Sequence, residues 1–187
     1  FMREATATVT VPLPSADGWV KLNAGQEVPI RVQMSEEMTK RLAEGIQSKA
    51  LPPSDRAGVL NDAYALVKAG QLSPSSLITL LSYYPKEDDA IVWEAIEGVL
   101  GSLNTILSDD EAMNAYFNEF ARKLVSGLTK VVSWDPDPTN DGHLTSLLRG
   151  TMIRLLSEFC YDEEEVKTEA STRFAKFLED ASDVKNL

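Results

Sequence analysis

Histidine is the residue type on which hydrolytic zinc chemistry depends, and this chain contains a single one, His143. A zinc site of the His-Glu-x-x-His kind needs two histidines one helical turn apart, and a glutamate that acts as general base. One histidine cannot build that helix. His143 follows Gly142 at the predicted start of a helix, so we interpret it as a first-turn residue and not as a catalytic group.

Cysteine and serine offer no nucleophilic site in this sequence. Cys160 is the only cysteine, and no histidine or basic cluster lies near it in the sequence to favour a thiolate. We interpret it as a small buried apolar residue. The Gly-x-Ser-x-Gly elbow that would expose a catalytic serine is absent, and so is a glycine-rich loop that would bind phosphate.

The loop before His143 has the spacing of a calcium site but lacks its key residues. Asp135, Asp137, Thr139 and Asp141 occupy the odd positions of an EF-hand loop. The required glycine is replaced by Asn140, and the bidentate glutamate is replaced by Ser146. We therefore interpret residues 133–142 as a solvated connector between helices.

Acidic residues dominate the charge of the chain, whose net charge is -11. Such a surface repels phosphate backbones and anionic lipids, so we expect neither a nucleic acid nor a membrane as partner. The acidic clusters lie at predicted helix N-termini, where they complement the helix dipole. We assign no catalytic, cofactor-binding or metal-ligating residue in this chain. The clusters are residues 36–37, 87–89, 109–111 and 162–165.

Helical periodicity governs the chain from Ser35 onward. Apolar residues recur at helical spacing between short polar turns, and several stretches begin with a good N-cap residue. Ser35 and Ser73 are such caps, and the sequence 108–111 resembles a capping box. The predicted helices are residues 35–48, 54–70, 73–85, 88–107, 108–131, 144–159 and 162–178.

The first 34 residues have a different composition. Threonine and valine alternate over residues 5–11, and short β-branched runs follow at 19–23 and 28–34. These runs predict strands, with Pro29 placing the last of them at an edge or a bulge. These three short strands are too few to form a stable sheet alone. We therefore expect self-association through this exposed β segment, or disorder at residues 1–16.

The fold class that follows is mostly α. We expect antiparallel helix pairs in an armadillo- or HEAT-like superhelical array, preceded by a short β segment from the end of a β-sandwich. Residues 1–34 would be the terminal strands of that sandwich, and residues 35–187 a helical-repeat domain, itself truncated. A compact helical bundle is the alternative, because no repeat of fixed period is visible in the sequence.

The compartment is predicted from cysteine and glycosylation signals. A single cysteine excludes an internal disulfide, and the sequence has no Asn-x-Ser/Thr site, so we expect a cytoplasmic protein. We see no signal-peptide pattern and no apolar run of membrane-spanning length. The chain begins Phe1-Met2-Arg3 and passes directly into Thr/Val alternation, so we expect it to be a piece of a longer protein.

The helix predicted over residues 54–70 has clear boundary signals. Ser54 would be its N-cap, Asp55 lies in the first turn, and Gly70 can close the helix in the left-handed conformation. An apolar stripe predicts that one face is buried; it consists of Val59, Ala63, Leu66 and Val67.

The same stretch carries a family resemblance. Its Asp-Arg…Asp-Ala-aromatic…Leu…Ala-Gly pattern resembles the helix that opens the C-terminal helical domain of gluzincin zinc aminopeptidases, the aminopeptidase N and puromycin-sensitive type. Residues 19–26, Trp-Val-Lys-Leu-Asn-Ala-Gly-Gln, resemble the segment that ends the small β-sandwich domain of these enzymes. In the family a glycine, aromatic residues and a tyrosine follow; here residues 28–30 and Met34 stand in their places.

Further motifs resemble the family in the same order along the chain. They run from Tyr84, Glu87 and Trp93, through Trp134 and Asp135, to the His-Leu-Thr-Ser-Leu-Leu-Arg sequence at 143–149. The set therefore covers the chain from about residue 19 to its end.

The resemblance implies a parent enzyme that removes N-terminal residues from peptides with a catalytic zinc. The zinc ligands and the general base would lie in upstream catalytic domains of the same polypeptide. The helical domain would cap the active site and restrict peptide access. This chain would then be a non-catalytic C-terminal fragment that is inactive alone, and a free-standing helical-repeat protein-interaction module is the alternative.

Overall fold

The computed structural model describes residues 6–13, 15 and 17–180, and these residues are predominantly helical. Within them seven α-helices follow one another along the chain, which confirms the mostly α class. Short 3-10 helices lie at Ala24–Gln26 and Leu128–Lys130. The α-helices are α1 (Glu36–Gln47), α2 (Pro53–Lys68), α3 (Pro74–Leu81), α4 (Ala90–Leu107), α5 (Glu111–Val125), α6 (His143–Phe159) and α7 (Glu164–Glu179).

Side-chain caps begin several of these helices. The Ser35 hydroxyl accepts a hydrogen bond from the Met38 N–H at 3.2 Å, and Ser73 caps α3 in the same way. The predicted capping box at 108–111 is wrong in one respect, because Asp110 and not Ser108 caps α5. The predicted continuation of that helix to 131 is also wrong: α5 ends at Val125, before the poor helix formers Ser126 and Gly127.

Helix α2 begins one residue earlier than the sequence indicates. Pro53 occupies its first turn and Pro52 is the N-cap, so the prediction of Ser54 as cap is wrong. Proline favours this position because its fixed φ already suits a helix. Gly70 has a φ of 68°, which confirms the predicted left-handed end of the helix.

Helix α4 lies at the centre of the core. It packs against α2, α5 and α6, while α2 also contacts α3 and α1 contacts α3. By length and composition alone α4 could cross a membrane, unlike the sequence expectation, but a core helix satisfies the same criteria. Its buried residues face the other helices and are Val92, Trp93, Ile96, Val99, Leu100 and Leu103.

Helix α7 lies at the margin of the described structure. Val166 is its one buried residue, whereas Phe174 and Leu178 are 58% and 67% exposed. Most of the apolar face of α7 is therefore not covered by other described residues. An ion pair of 2.8 Å between Arg173 and Asp135 connects α7 to the loop before α6.

The predicted β segment is not confirmed, since no described residue belongs to a strand. Residues 6–13 have no ladder partner within the described part of the chain, and Val9 is 80% exposed. Between residues 23 and 32, the N–H groups of Gly25 and Val32 donate to side chains, and those of Gln26 and Ile30 donate to nearby backbone carbonyls. The expectation of disorder or pairing at 1–16 falls in part on residues 1–5, 14 and 16, which lie outside the described residues.

Candidate functional site

Three charged side chains of α2 are buried. Asp55, Arg56 and Asp62 are 3%, 2% and 2% exposed, although charged residues are rarely buried unless they are paired. Asp55 and Asp62 lie two turns apart on one face of the helix, and Arg56 points to a neighbouring face. We call these three residues the α2 clamp, because each binds a segment that precedes or follows the helix.

Asp55 binds the segment around the first 3-10 helix. Its Oδ1 accepts a hydrogen bond of 2.8 Å from the Gly25 N–H, and the Lys21 ammonium lies 3.7 Å from the same oxygen. Both charged side chains are 4% exposed. Gly25 has a φ of 73°, a left-handed conformation that glycine adopts without strain. The chain therefore turns so that a backbone N–H faces the Asp55 carboxylate.

Asp62 binds the residues just before α1. Its Oδ1 accepts from Arg31 Nη1 at 3.1 Å, and its Oδ2 accepts from the Val32 N–H at 3.3 Å. The Arg31 side chain is 58% exposed, so that ion pair is partly screened by water. The backbone hydrogen bond nevertheless satisfies a carboxylate oxygen that is removed from solvent.

Gly58 lies on the same face of α2 as the two carboxylates. A Cβ placed at this glycine would lie 2.1 Å from Gln26 Nε2 and 2.4 Å from Gln26 Cδ. A Cβ at position 58 would therefore displace the Gln26 side chain from its present position. A similar approach brings the Trp19 ring over Gly45 of α1, where a Cβ would lie 2.7 Å from the ring.

Arg56 forms a buried ion pair with Glu87, which lies between α3 and α4. Arg56 Nε and Nη2 donate to the two Glu87 oxygens at 2.8 and 2.9 Å, and Nη1 donates to the Leu51 carbonyl at 2.6 Å. The second Glu87 oxygen also accepts from the backbone N–H groups of residues 88 and 89. A bidentate pair of this kind fixes direction as well as distance.

Aromatic side chains complete this buried network. The Tyr84 hydroxyl donates to the Arg56 carbonyl at 2.9 Å, and Trp93 Nε1 donates to the Glu87 carbonyl at 3.0 Å. Burial, followed by the charge of Glu87, raises the pKa of Tyr84 well above its ordinary value. Burial alone would lower the pKa of Arg56, but its hydrogen bond and charge interaction with Glu87 raise it. Both groups therefore keep their protons.

The residues singled out for chemistry in the sequence lie away from the α2 clamp. His143 is the exposed first residue of α6, as its position after Gly142 indicates. Cys160 is fully buried at the end of α6, and burial followed by the charge of Glu163 raises the pKa of its thiol to about 12. A protonated, enclosed thiol is a packing residue and not a nucleophile.

The acidic loop before α6 directs its carboxylates at its own residues. Asp141 Oδ2 pairs with Arg149 at 2.6 Å and accepts from the Asp137 N–H. Asp137 in turn accepts hydrogen bonds from the Asn140 side-chain amide and from the backbone N–H groups of Thr139 and Asn140, and these bonds lower its pKa. The loop before α6 is therefore a connector whose Asp137 and Asp141 carboxylates are occupied by hydrogen bonds from the loop itself and from Arg149. Over the described part of the chain, no group of three or more His, Cys, Asp or Glu side chains could hold a metal ion.

The α2 clamp was missed as a unit by sequence reasoning. Asp55 and Glu87 were both interpreted as helix-start residues that complement the dipole, and each has a partner that lies about 30 residues away in the chain. The available signal was the position of Arg56 and Asp62 beside apolar residues of α2. Chemically, the arrangement supplies fixed orientation and no reactive group.

Comparison with known proteins agrees with this picture. A family model described as the ERAP1-like C-terminal domain matches residues 19–186. Aminopeptidase M1-A of rice, Oryza sativa subsp. japonica, is 32% identical over 88% of this chain and 18% of its own length. Aminopeptidase M1 of Arabidopsis thaliana is 31% identical over 87% of the chain and 18% of its own length.

A fungal relative extends the match beyond plants. Aminopeptidase 2 of Candida albicans is 28% identical over 92% of this chain and 18% of its own length. The chain thus spans less than a fifth of each of these three relatives. The resemblance to aminopeptidases seen in the sequence is confirmed, and the chain belongs to the ERAP1-like C-terminal domain family.

Proposed function

We propose that this chain is the non-catalytic C-terminal part of a zinc metallo-aminopeptidase that removes N-terminal residues from peptides. The relatives that support this are aminopeptidases by name. A chain with one histidine cannot supply the zinc site of the gluzincin kind. The zinc, its ligands and the general base would therefore belong to upstream catalytic domains of the same polypeptide.

The α2 clamp is the observation on which the role of this domain rests. Asp55 and Asp62 bind residues 25 and 32, and Arg56 binds Glu87 on the other side of α2. The segment before α1 is thereby held in one direction relative to the helices. In the parent enzyme this connection would orient the helical domain over the active site, where it would cap the site and restrict peptide access.

The arrangement of the helices supports a superhelical array. Helix α4 contacts both α2 and α6, so these three helices form one row, and α3 contacts α2 while α5 contacts α4 and α6. Helix pairs stacked side by side make contacts of this kind. We therefore propose an armadillo- or HEAT-like domain over residues 35–187, preceded at 1–34 by strands that would pair with the rest of a β-sandwich in the parent.

A cytoplasmic location belongs to the same proposal. It rests on the single cysteine, which excludes a disulfide within this chain, and on the lack of a glycosylation site. Imaging of the tagged full-length polypeptide in its own cells would test it. A secreted or membrane-enclosed signal would contradict it.

Zinc-dependent turnover tests the proposal directly. The isolated chain, incubated with zinc and an aminoacyl reporter substrate, should release no product, because its single histidine cannot build a zinc site of the gluzincin kind. The full-length polypeptide, tested in parallel, should hydrolyse the reporter and lose activity to a chelator. Chelator-sensitive hydrolysis by the isolated chain would overturn the assignment.

A second candidate, the free-standing interaction module, is favoured by the exposed apolar residues of α7. Phe174 and Leu178 are 58% and 67% exposed and lie one turn apart. A peptide array probed with the isolated chain separates the two functions. Saturable peptide binding that Phe174→Ser abolishes would favour the interaction module. If no peptide binds, the result supports a domain whose exposed α7 residues are covered by other parts of the parent polypeptide.

A further inference from the structure

A cavity of about 220 Å³ lies between the first three helices and the segment that precedes them. It is separate from the buried Arg56–Glu87 pair, although Asp62 of the α2 clamp contributes to its wall. A cavity of about 150 Å³ in another protein is large enough to hold benzene. The present cavity can therefore accept a branched or aromatic side chain together with a polar group.

Half of the residues that line the cavity are apolar or aromatic. The apolar groups come from the segment before α1, from α2, from the α2–α3 connection and from α3. An apolar side chain that entered would replace water against these groups, which is the main source of affinity in small-molecule sites. The residues concerned are Met34, Val59, Ala63, Leu66, Leu72 and Leu80.

Two exposed charged side chains of opposite sign border the same cavity. Glu36 and Lys40 both line it from α1, four residues apart. Side chains at this spacing commonly pair with each other. Among the described residues, however, neither side chain has an ion pair or a hydrogen bond, unlike Glu37 and Arg41 one residue further along. The hydroxyl of Ser76, on the α3 wall, likewise has no hydrogen-bond partner in the described part of the chain.

We propose that this cavity binds a free α-amino acid with an apolar side chain. The ammonium group would face Glu36 and the carboxylate Lys40 and Ser76, while the side chain would pack against the apolar lining residues of α2 and α3. Residues four apart on a helix have Cβ atoms only about 5–6 Å apart. The two charges of an amino acid lie on one carbon and fit this spacing, whereas those of a peptide lie at opposite ends.

The choice of this ligand class rests on the proposed function, because free amino acids are what an aminopeptidase releases. The cavity wall includes Val32, whose N–H binds Asp62 of the α2 clamp. An amino acid bound here would contact both the segment before α1 and the helices. It would therefore tighten the connection that orients the helical domain.

Titration of the isolated chain followed by amide NMR tests the proposal. L-leucine should shift the resonances of residues 32–40 and 75–80, and its Kd should be at least about threefold lower than that of either singly charged analogue. The analogues are L-leucine methyl ester, which lacks the carboxylate, and N-acetyl-L-leucine, which lacks the ammonium. No shift up to the solubility limit, or equal affinity for either analogue, would overturn the proposal.

Matched variants locate the site. Lys40→Met should raise the Kd for L-leucine about threefold and leave the Kd for the methyl ester unchanged. Lys167→Met on α7 should change neither Kd. Thr79→Trp should close the cavity and abolish binding. Thr105→Trp is its control, because both threonines are exposed and donate to the carbonyl four residues earlier. Binding that survives Thr79→Trp would contradict the location.

The outcome is independent of catalysis. The titration involves no zinc and no turnover, so a failure to bind leucine would leave the aminopeptidase assignment intact. Conversely, hydrolysis by the isolated chain would overturn that assignment without touching the binding result.

Discussion

Arg56 and Glu87 place opposite charges in the core, where their side chains are 3% and 2% exposed. Burying such a pair is costly, and the cost is offset only when geometry and hydrogen bonding are complete. Here the guanidinium has three hydrogen bonds, and the carboxylate accepts from both the guanidinium and the backbone. The pair therefore fixes the position of the α3–α4 connection against α2.

Removing one charge of this pair should be strongly destabilising. Glu87→Gln keeps the shape of the side chain but leaves the Arg56 charge buried without its counterion, so we expect a loss of about 3–5 kcal/mol in the free energy of unfolding. Urea denaturation followed by circular dichroism measures it. The double variant Arg56→Met/Glu87→Gln should recover part of the loss, because no uncompensated charge is then left in the core.

An exposed pair provides the control. Glu119 and Lys123 lie four residues apart on α5, with side chains 62% and 74% exposed. Glu119→Gln should not measurably shift the urea midpoint, since water screens that interaction. Equal effects of Glu87→Gln and Glu119→Gln would show that the buried pair does not hold the core together.

Cys160 should be almost unreactive in the native chain. Burial raises the pKa of its thiol from the ordinary 9.0 to about 12, so the thiolate fraction at pH 8 falls about a thousandfold. Alkylation by iodoacetamide, followed by mass spectrometry, should be at least about a hundredfold slower in the native chain than in urea. Rates within a factor of about ten of each other would contradict the enclosed, protonated thiol.

At the residue scale, the local environment of a side chain could be predicted from the sequence more often than its interaction partner. The buried character of Cys160 and the first-turn position of His143 follow from local sequence, and the structure confirms both. The partners of Asp55 and Arg56 could not be predicted, because they lie 30 and 31 residues away and no local pattern encodes such contacts.

At the scale of elements, two glycines distinguish helix propensity from close packing. Gly98 of α4 has open space where a Cβ would be, whereas a Cβ at Gly58 of α2 would overlap Gln26. Both are helical, so alanine would favour the helix equally at each position. The difference between the two variants therefore reports the contact with Gln26.

Gly98→Ala should stabilise the chain by about 0.5–1 kcal/mol, as expected for an exposed helical glycine. Gly58→Ala should be less stable than Gly98→Ala by about 1–3 kcal/mol, because Gln26 must move. Hydrogen exchange of the Gly25 amide, which is bonded to Asp55, should accelerate in Gly58→Ala alone. Equal stabilisation with unchanged exchange would contradict the close packing.

Three helix boundaries were predictable from single residues, whereas the tertiary environment of the helices was not. Ser35 and Ser73 begin helices as their residue types indicate, and Gly70 ends one. The strands predicted before residue 35 need hydrogen-bond partners that no described residue provides. The apolar residues of α7 are helical as predicted, but periodicity cannot say whether a neighbouring element covers Phe174.

At the scale of the whole molecule, exposed apolar side chains near both ends of the described chain predict that the isolated chain self-associates. Val9 is 80% exposed near one end and Leu178 is 67% exposed near the other. Light scattering should show that the apparent mass of the isolated chain rises with concentration. A strict monomer whose segment before residue 17 is fully protected from hydrogen exchange would contradict this expectation.

The α2 clamp gives the molecule its proposed purpose, which is to fix the direction of the helical domain relative to the segment before it. In the full-length polypeptide, Asp55→Asn with Asp62→Asn removes the charges that hold Lys21 and Arg31 but keeps an oxygen acceptor at each position. Both sites lie outside the proposed catalytic machinery. The variant therefore separates orientation of the domain from the chemistry of hydrolysis.

The most direct measurement is kcat/KM of the full-length polypeptide for a long peptide and for a small aminoacyl reporter. The exposed-site variant Asp109→Asn is the control. We predict that the double variant changes kcat/KM for the long peptide on the order of tenfold and leaves the reporter unaffected. An unchanged ratio of the two values, or an equal loss for both substrates, would contradict the account.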